Sequence, residues 1–289
     1  MKVTYLGTAA AERVPAIFCN CRICRHAMEK KGREIRTQTQ ALLDDGKLLI
    51  DFPGDSYLHR LSGRVNYNRV EALLLTHWHS DHFYGEDLAY RMSGYANGIT
   101  TQLAVYSNAY VKGFYDRAFQ LEGRYDEQRL TYHLLEAYQK TWINGYEVYS
   151  LPAQHGHFAE DCFIYVIKDP TGKTLLYGHD TGYLTEEMFA FLEANKFIFD
   201  CVSMDCTGQT NADQMANHMN WSQNIQMKQE LMDRKLATEK TIFVANHFSH
   251  NGGRTYQEMA DLSASEMIIT AYDRVGELSL SHLEIVQHV

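Results

Sequence analysis

The chain has 289 residues, 45% of them hydrophobic, with 27 Lys and Arg against 36 Asp and Glu and a formal net charge of -9. This length buries a sizeable core and suits one domain over 1–289. The acidic balance argues against long nucleic acid, whose affinity comes largely from Lys and Arg neutralising phosphates. No apolar run approaches the ~20 residues that cross a bilayer. The expectation is therefore a cytoplasmic protein, away from membranes, that takes a small anionic substrate. Its assembly stays open between monomer and homodimer.

The first residues, Met1-Lys2-Val3-Thr4-Tyr5-Leu6-Gly7-Thr8, read as a strand and turn rather than a signal peptide. Further strands are expected at 39–43, 47–51, 71–76, 103–107, 146–150, 163–168, 174–177, 199–203, 241–246 and 267–271, after a first at 3–6. Helices are expected at 54–61, 87–96, 109–118, 185–194, 222–237 and 255–260, several of them starting at a Ser or Thr cap. Pattern alone gives mixed α/β, with no internal repeat and no long linker. The segment 110–139, rich in Tyr, Arg and Glu, reads either as an insertion covering the active site or as an ordinary solvated helix and connector.

Three thiols, Cys19, Cys21 and Cys24, fall within six residues. Thiolate is a soft ligand, and the spacing favours tetrahedral zinc, which needs a fourth donor. Three cysteines cannot all pair with one another, and the absence of a signal peptide argues for a reducing compartment. Cys162, Cys201 and Cys206 lie in or beside apolar runs and read as small core residues.

The strongest motif is Thr76-His77-Trp78-His79-Ser80-Asp81-His82, which follows the apolar run 70–75. His77, His79, Asp81 and His82 put four ligand-type residues into six positions, enough for two adjacent Zn, Mn or Fe ions. Trp78, Phe83, Tyr84 and Tyr90 either line the pocket there or pack into the core. Later strand ends carry more candidates: His155 and His157, then His179-Asp180-Thr181-Gly182, then His247 and His250. Taken alone, Asp180 would serve equally well as a turn residue.

The motifs, in this order, resemble the signature of the metallo-β-lactamase superfamily, an α/β (in some schemes α+β) fold with a four-layer αββα sandwich. The resemblance implies that His77 and His79 bind one metal and Asp81 and His82 the other. It also implies a later loop histidine, a bridging Asp180 and a final His247. His155 is preferred as the loop ligand because the family's histidine usually stands two residues after a small or apolar residue closing the strand, as Ala153 does; His157 is the alternative. The thiols together with His250, three residues past His247, resemble the phosphoribosyl cyclic phosphodiesterase branch, where such a set holds a structural zinc. In that branch a His-Met, matched here by His218-Met219, supplies an active-site histidine that is not a ligand.

The implied cofactors are two divalent metals, Zn or Mn with Fe as a further option, and one structural Zn. The implied chemistry is a hydroxide held by two cations about 3.5–4 Å apart attacking phosphorus. His218 would protonate the departing ribose oxygen, with Asp81 as the alternative shuttle. Two other readings stay open. One is hydrolysis of a different ester, such as a lactone, a thioester or an RNA 3′-end, on the same site. The other is a non-hydrolytic role like that of the pyrroloquinoline-quinone biosynthesis member, which shares the thiol motif but has a degenerate first motif.

Overall fold

In many strands of this chain, successive residues alternate between two buried faces, so the sheets they form must be covered on both sides. The structure, a computed structural model, describes residues 1–211, 216–273 and 278–279. Residues 212–215 of the polar loop 211–220 lie outside the described residues.

The first half of the chain runs β1 (Lys2–Gly7), α1 (Arg22–Lys30), β2 (Gln40–Leu43), β3 (Leu48–Ile50), α2 (Ser56–Leu61), β4 (Ala72–Leu74), α3 (Gly85–Ala89), β5 (Leu103–Ser107), α4 (Ala109–Glu122) and β6 (Leu130–Leu134). The second half runs β7 (Lys140–Ile143), β8 (Tyr146–Pro152), β9 (Phe163–Lys168), β10 (Thr174–Gly178), α5 (Glu186–Ala194), β11 (Cys201–Asp205), α6 (Trp221–Asp233), β12 (Ile242–Asn246), α7 (Tyr256–Ala264), β13 (Ile268–Thr270) and β14 (Leu278–Ser279). Two mixed sheets result, in the orders β14-β1-β2-β3-β4-β5-β6 and β13-β12-β11-β10-β9-β8-β7.

Alternation sorts the side chains into layers. Val3, Tyr5, Leu43, Ile50 and Leu74 point between the sheets, where they meet Val148, Tyr165, Leu175 and Val244. Their neighbours Leu6, Leu42, Leu49 and Leu73 point outward and pack under Leu88 of α3 and Val111 and Tyr115 of α4. The outer face of the second sheet is closed by Met188 and Leu192 of α5, Met227 and Leu231 of α6 and Met259 of α7. Each fully buried side chain of this kind contributes about 2 kcal/mol. Helix, sheet, sheet and helix thus stack as the four expected layers, an α+β arrangement.

The structure departs from the expected elements where local pattern is weakest. The expected helix 87–96 stops at Ala89 and continues as turns, closed by i to i−3 bonds from Tyr90, Arg91 and Met92, with Gly94 beyond them at φ 96°. Helix α1, not anticipated, is short and highly charged; Cys21 caps it by accepting from the Cys24 amide. The segment 110–139 divides in two. Its first part is α4, while β6 is an edge strand that completes the first sheet, and the half-exposed edge strand β7 follows it. Edge strands lack the alternation that marks central ones, so their sequences read as connectors.

One close approach gives a test of this packing. At the β1–β2 irregularity, a Cβ added to Gly7 would stand 1.9 Å from the carbonyl oxygen of Gln38. Backbone cannot yield there as a flexible side chain would. Gly7→Ala is expected to destabilise by about 3 kcal/mol, seen as a lower urea midpoint; an unchanged midpoint would show that the strands can separate at no cost.

Candidate active site

Strands β8, β10, β11 and β12 of one sheet and β3 and β4 of the other end at the same edge of the sandwich. Each strand or the loop beyond it delivers a polar side chain to one buried point. Three of the residues there, Asp51, Asp180 and His247, have φ of 65°, 55° and 58°. Left-handed backbone costs a non-glycine residue roughly 1 kcal/mol, and the packed strand ends on either side hold it in place.

Asp180 is the centre. Its Oδ2 lies 3.2 Å from His77 Nε2, 3.2 Å from His82 Nε2, 3.3 Å from His155 Nε2 and 3.9 Å from His247 Nε2. Its other oxygen, Oδ1, lies 3.0 Å from His218 Nδ1. His79 turns its Nδ1 into the same cluster, 2.9 Å from His77 Nε2 and 3.1 Å from His155 Nε2. Ring nitrogens and a carboxylate therefore crowd together with few donor hydrogens to share.

The outer nitrogens explain the orientation of the rings. Asp51 takes the Thr76 amide and hydroxyl at 2.8 and 2.9 Å through Oδ1, and its Oδ2 lies 2.8 Å from His82 Nδ1. Thr76 Oγ1 also lies 3.0 Å from His77 Nδ1. Thr207 Oγ1 at 2.8 Å and Asp205 Oδ2 at 3.2 Å hold His247 Nδ1, and the Asn217 carbonyl faces His155 Nδ1 at 3.2 Å. Anchoring one nitrogen of an imidazole fixes the direction in which the other presents its lone pair.

These donors fit divalent metals. Two groups, His77, His79, His155 and Asp180 on one side and Asp81, His82, Asp180 and His247 on the other, each bring their donor atoms within 4.8 Å of one another. Asp180 belongs to both. His82 Nε2, His247 Nε2 and Asp180 Oδ1 are buried without an aligned hydrogen-bond partner, although charged groups lie close by. Lone pairs that converge on a shared point rather than on each other are the geometry of ligands around a cation. Imidazole and carboxylate together suit Zn, Mn or Fe.

Charge follows burial and neighbours. Burial pushes the imidazoles of His77 and His79 below their ordinary range and that of His155 to about 4, which favours the neutral, metal-binding form. For His82 burial works against the charge, but Asp51 and Asp81 outweigh it and raise the pKa. His218 behaves likewise. Burial opposes its charge, but Asp205 at 3.2 Å and Asp180 outweigh that and bring the group to about 11. Burial raises the Asp180 carboxyl, yet the surrounding imidazoles hold it well below the usual range.

His157 stands outside every such donor group: its amide donates to Asp161, and its ring lies 6.3 Å from Trp78. His179 is a core residue between Thr39 and Ser203. Asp180, Asp205, His218 and His247 form a third group of mutually close donors, so His218 sits beside the metal-type ligands and within reach of them. Asp51 and Asp205 were not anticipated as site residues. The one signal for them was a lone Asp closing or following an apolar strand. Trp78, Phe83 and Tyr84 line a cleft beside His79 and Asp81, whereas Tyr90 lines a separate cavity next to α3.

A second donor group lies away from this one. Cys19 Sγ and Cys21 Sγ are 3.5 and 3.6 Å from His250 Nδ1, and Cys24 completes the set. Burial raises the Cys21 thiol, but the Cys24 amide, His250 and Cys19 together outweigh it and bring it down to about 6; burial pushes Cys24 up to about 12. The far side of His250 faces Glu12, 3.7 Å from Nε2. Three sulfurs and an imidazole at these separations suit tetrahedral zinc.

No helix among the described residues is long and apolar enough to cross a membrane. In comparisons with solved structures, the chain is similar to a diphosphatase of the PhnP family, with 18% identity, a TM-score of 0.75 and coverage of 96% of this chain and 97% of that one. It is similar to Zn(2+)-bound PqqB from Methylobacterium extorquens, at 18% identity, TM-score 0.72 and coverage of 96% and 100%. The short form of human tRNase Z gives 17% identity, TM-score 0.64 and coverage of 97% and 99%. Among curated proteins, 88 residues are 34% identical to part of an octanoyltransferase from Porphyromonas gingivalis, covering 30% of this chain. The chain spans only 17% of the length of that relative. The sequence pattern of the β-lactamase superfamily domain matches residues 49–244, which is most of the chain. Sheet order, the histidine-rich strand ends and this match agree, and the chain belongs to the metallo-β-lactamase superfamily.

Proposed function

We propose that the protein is a metal-dependent hydrolase of a small phosphodiester. The observation that carries this reading is the shared carboxylate: Asp180 belongs to two four-residue donor groups at once, its Oδ2 facing imidazoles of both, and one carboxylate could offset the charge of two cations. His77, His79 and His155 would hold one metal, Asp81, His82 and His247 the other, with Asp180 between them. Divalent metals bound there would polarise a phosphoryl oxygen and lower the pKa of water from about 15.7 toward 7. The protein's own residues do the rest. Asp51, Thr76, Asp205 and Thr207 hold the imidazoles in register. His218, whose Nδ1 lies 3.0 Å from Asp180 and 3.2 Å from Asp205, would donate a proton to the leaving oxygen through Nε2.

Two features support a phosphodiester over other esters: an imidazole, His218, placed beside the ligand cluster where it could serve a poor alkoxide leaving group, and the thiol-His250 group that resembles the phosphodiesterase branch. The thiol group as a zinc site also fits a reducing, cytoplasmic setting. Against the non-hydrolytic reading, a full set of donors around Asp180 favours an enzyme.

Turnover of bis-p-nitrophenyl phosphate, cyclic ribose phosphates, lactones and thioesters by the metal-loaded protein tests the reading. Hydrolysis of the phosphodiesters, lost on chelation and restored by Zn or Mn, is expected. Turnover of lactones or thioesters alone would overturn it. We further expect two chemically distinct metal populations in the purified protein. Mild chelation should remove the one bound by nitrogen and oxygen first, leaving a zinc whose X-ray absorption shows sulfur neighbours; absence of that sulfur-bound metal would remove the assignment of Cys19, Cys21, Cys24 and His250.

A further inference from the structure

Helix α4 buries Val111, Tyr115, Ala118 and Phe119 against the first sheet. An adjacent stripe, Tyr110, Phe114 and Arg117, has the i, i+4, i+7 spacing of a single helix face. That face meets both loops that bring histidines to the site. Phe114 stacks on Trp78, between His77 and His79, at 5.1 Å and 10°. Tyr110 stacks on Phe158, three residues past His155, at 5.5 Å and 3°. Neither stack is closed off from solvent: Phe114, Tyr110 and Phe158 keep 39%, 43% and 61% of their surface exposed.

Between α4 and the first motif lies a cleft of about 550 Å³, which His79 and Asp81 line directly. That volume suits a nucleoside-sized group. Arg117 is the one cation among its described lining residues, and it makes no hydrogen bond or ion pair with the described residues. Glu86 adds an acceptor to the same lining. Of the stacked rings, Trp78 and Phe114 line this cleft together with Arg117, Glu86, His79 and Asp81; an aromatic pair, a guanidinium and an acceptor beside the metal-type donors describe a site for a planar ring that carries N–H donors and a nearby anion.

We infer that the α4 face is a specificity subsite for a nucleobase-like ring, with Arg117 binding a second anionic group of the same substrate. The substrate class is thus a nucleotide phosphodiester bearing a further phosphate. This inference rests on the phosphodiester reading above, and it adds what lies beside the scissile group.

Three substrates separate the parts: adenosine 2′,3′-cyclic phosphate with a 5′-phosphate, the same without the 5′-phosphate, and a ribose cyclic phosphate 5-phosphate with no base. In the metal-loaded wild type, kcat/KM should fall about tenfold on loss of either the base or the second phosphate. Arg117→Ala should bring the phosphate preference to unity and keep the base preference. Phe114→Ala should do the reverse, and Phe114→Leu, which keeps most of the volume, should lose the base preference while retaining wild-type helicity by circular dichroism. Preference ratios near one in the wild type would overturn the subsite and leave the phosphodiesterase reading standing. If no phosphodiester is hydrolysed, that reading falls instead, and calorimetry with adenosine 5′-monophosphate decides the subsite. Binding about tenfold weaker in Arg117→Ala supports it; no binding, or equal affinity, overturns it.

Discussion

Asp180→Asn is expected to lower turnover by about 10³-fold or more and to lower the metal content of the histidine cluster while leaving the fold intact. Asparagine tolerates the left-handed backbone at this position, where φ is 55°, and it keeps the shape of the carboxylate. What it loses is charge. Four imidazole nitrogens converge on Asp180 Oδ2 within 3.9 Å, and a neutral amide cannot offset the repulsion of two adjacent cations. Charge stabilisation by such ions is worth several kcal/mol in a transition state, and each 1.4 kcal/mol is tenfold in rate. Elemental analysis, circular dichroism and steady-state kinetics on one preparation check the result. Retained turnover with normal metal content would sink the shared-carboxylate assignment.

The second large effect is expected at His218. If this imidazole delivers the proton to the leaving oxygen, His218→Ala should lower kcat by about 10²–10⁴ on esters with an alkoxide leaving group and much less on p-nitrophenyl esters, whose leaving group needs little protonation. Metal content should stay unchanged. The position favours such a role, because the carboxylates of Asp205 and Asp180 lie 3.2 and 3.0 Å from Nδ1 and favour the protonated ring. Equal losses on both substrate types would mean that His218 binds phosphate instead. Loss of metal would make it a ligand, as its membership of a group with Asp180, Asp205 and His247 allows, and would move the proton transfer to Asp81.

His77, His79, Asp81 and His82 were legible because ligand types packed so densely after an apolar run have few other uses, and the central strands were legible because alternation survives where both faces are buried. The sandwich itself was implied by the family resemblance that the motifs carry; periodicity alone reached only mixed α/β. Asp51 and Asp205 could not be told from ordinary strand-end carboxylates, since their role is to hold His82, His218 and His247, which are far off in sequence. The choice between His155 and His157 turned on a two-residue offset that spacing cannot resolve; in the folded chain His155 Nε2 faces Asp180, while the His157 amide is tied to Asp161.

No strand was expected at the edge strands β6 and β7, because each has a single neighbouring strand to pair with, which sets little pattern. The segment that holds Tyr110, Phe114 and Arg117 read either as an insertion covering the site or as an ordinary solvated helix and connector. Local sequence records which residues can bind a metal or enter a core. Which of them meet was decided by the common edge of the two sheets, because the contacts that orient a ligand join strands separated by scores of residues, and only the packed sandwich brings those strand ends together.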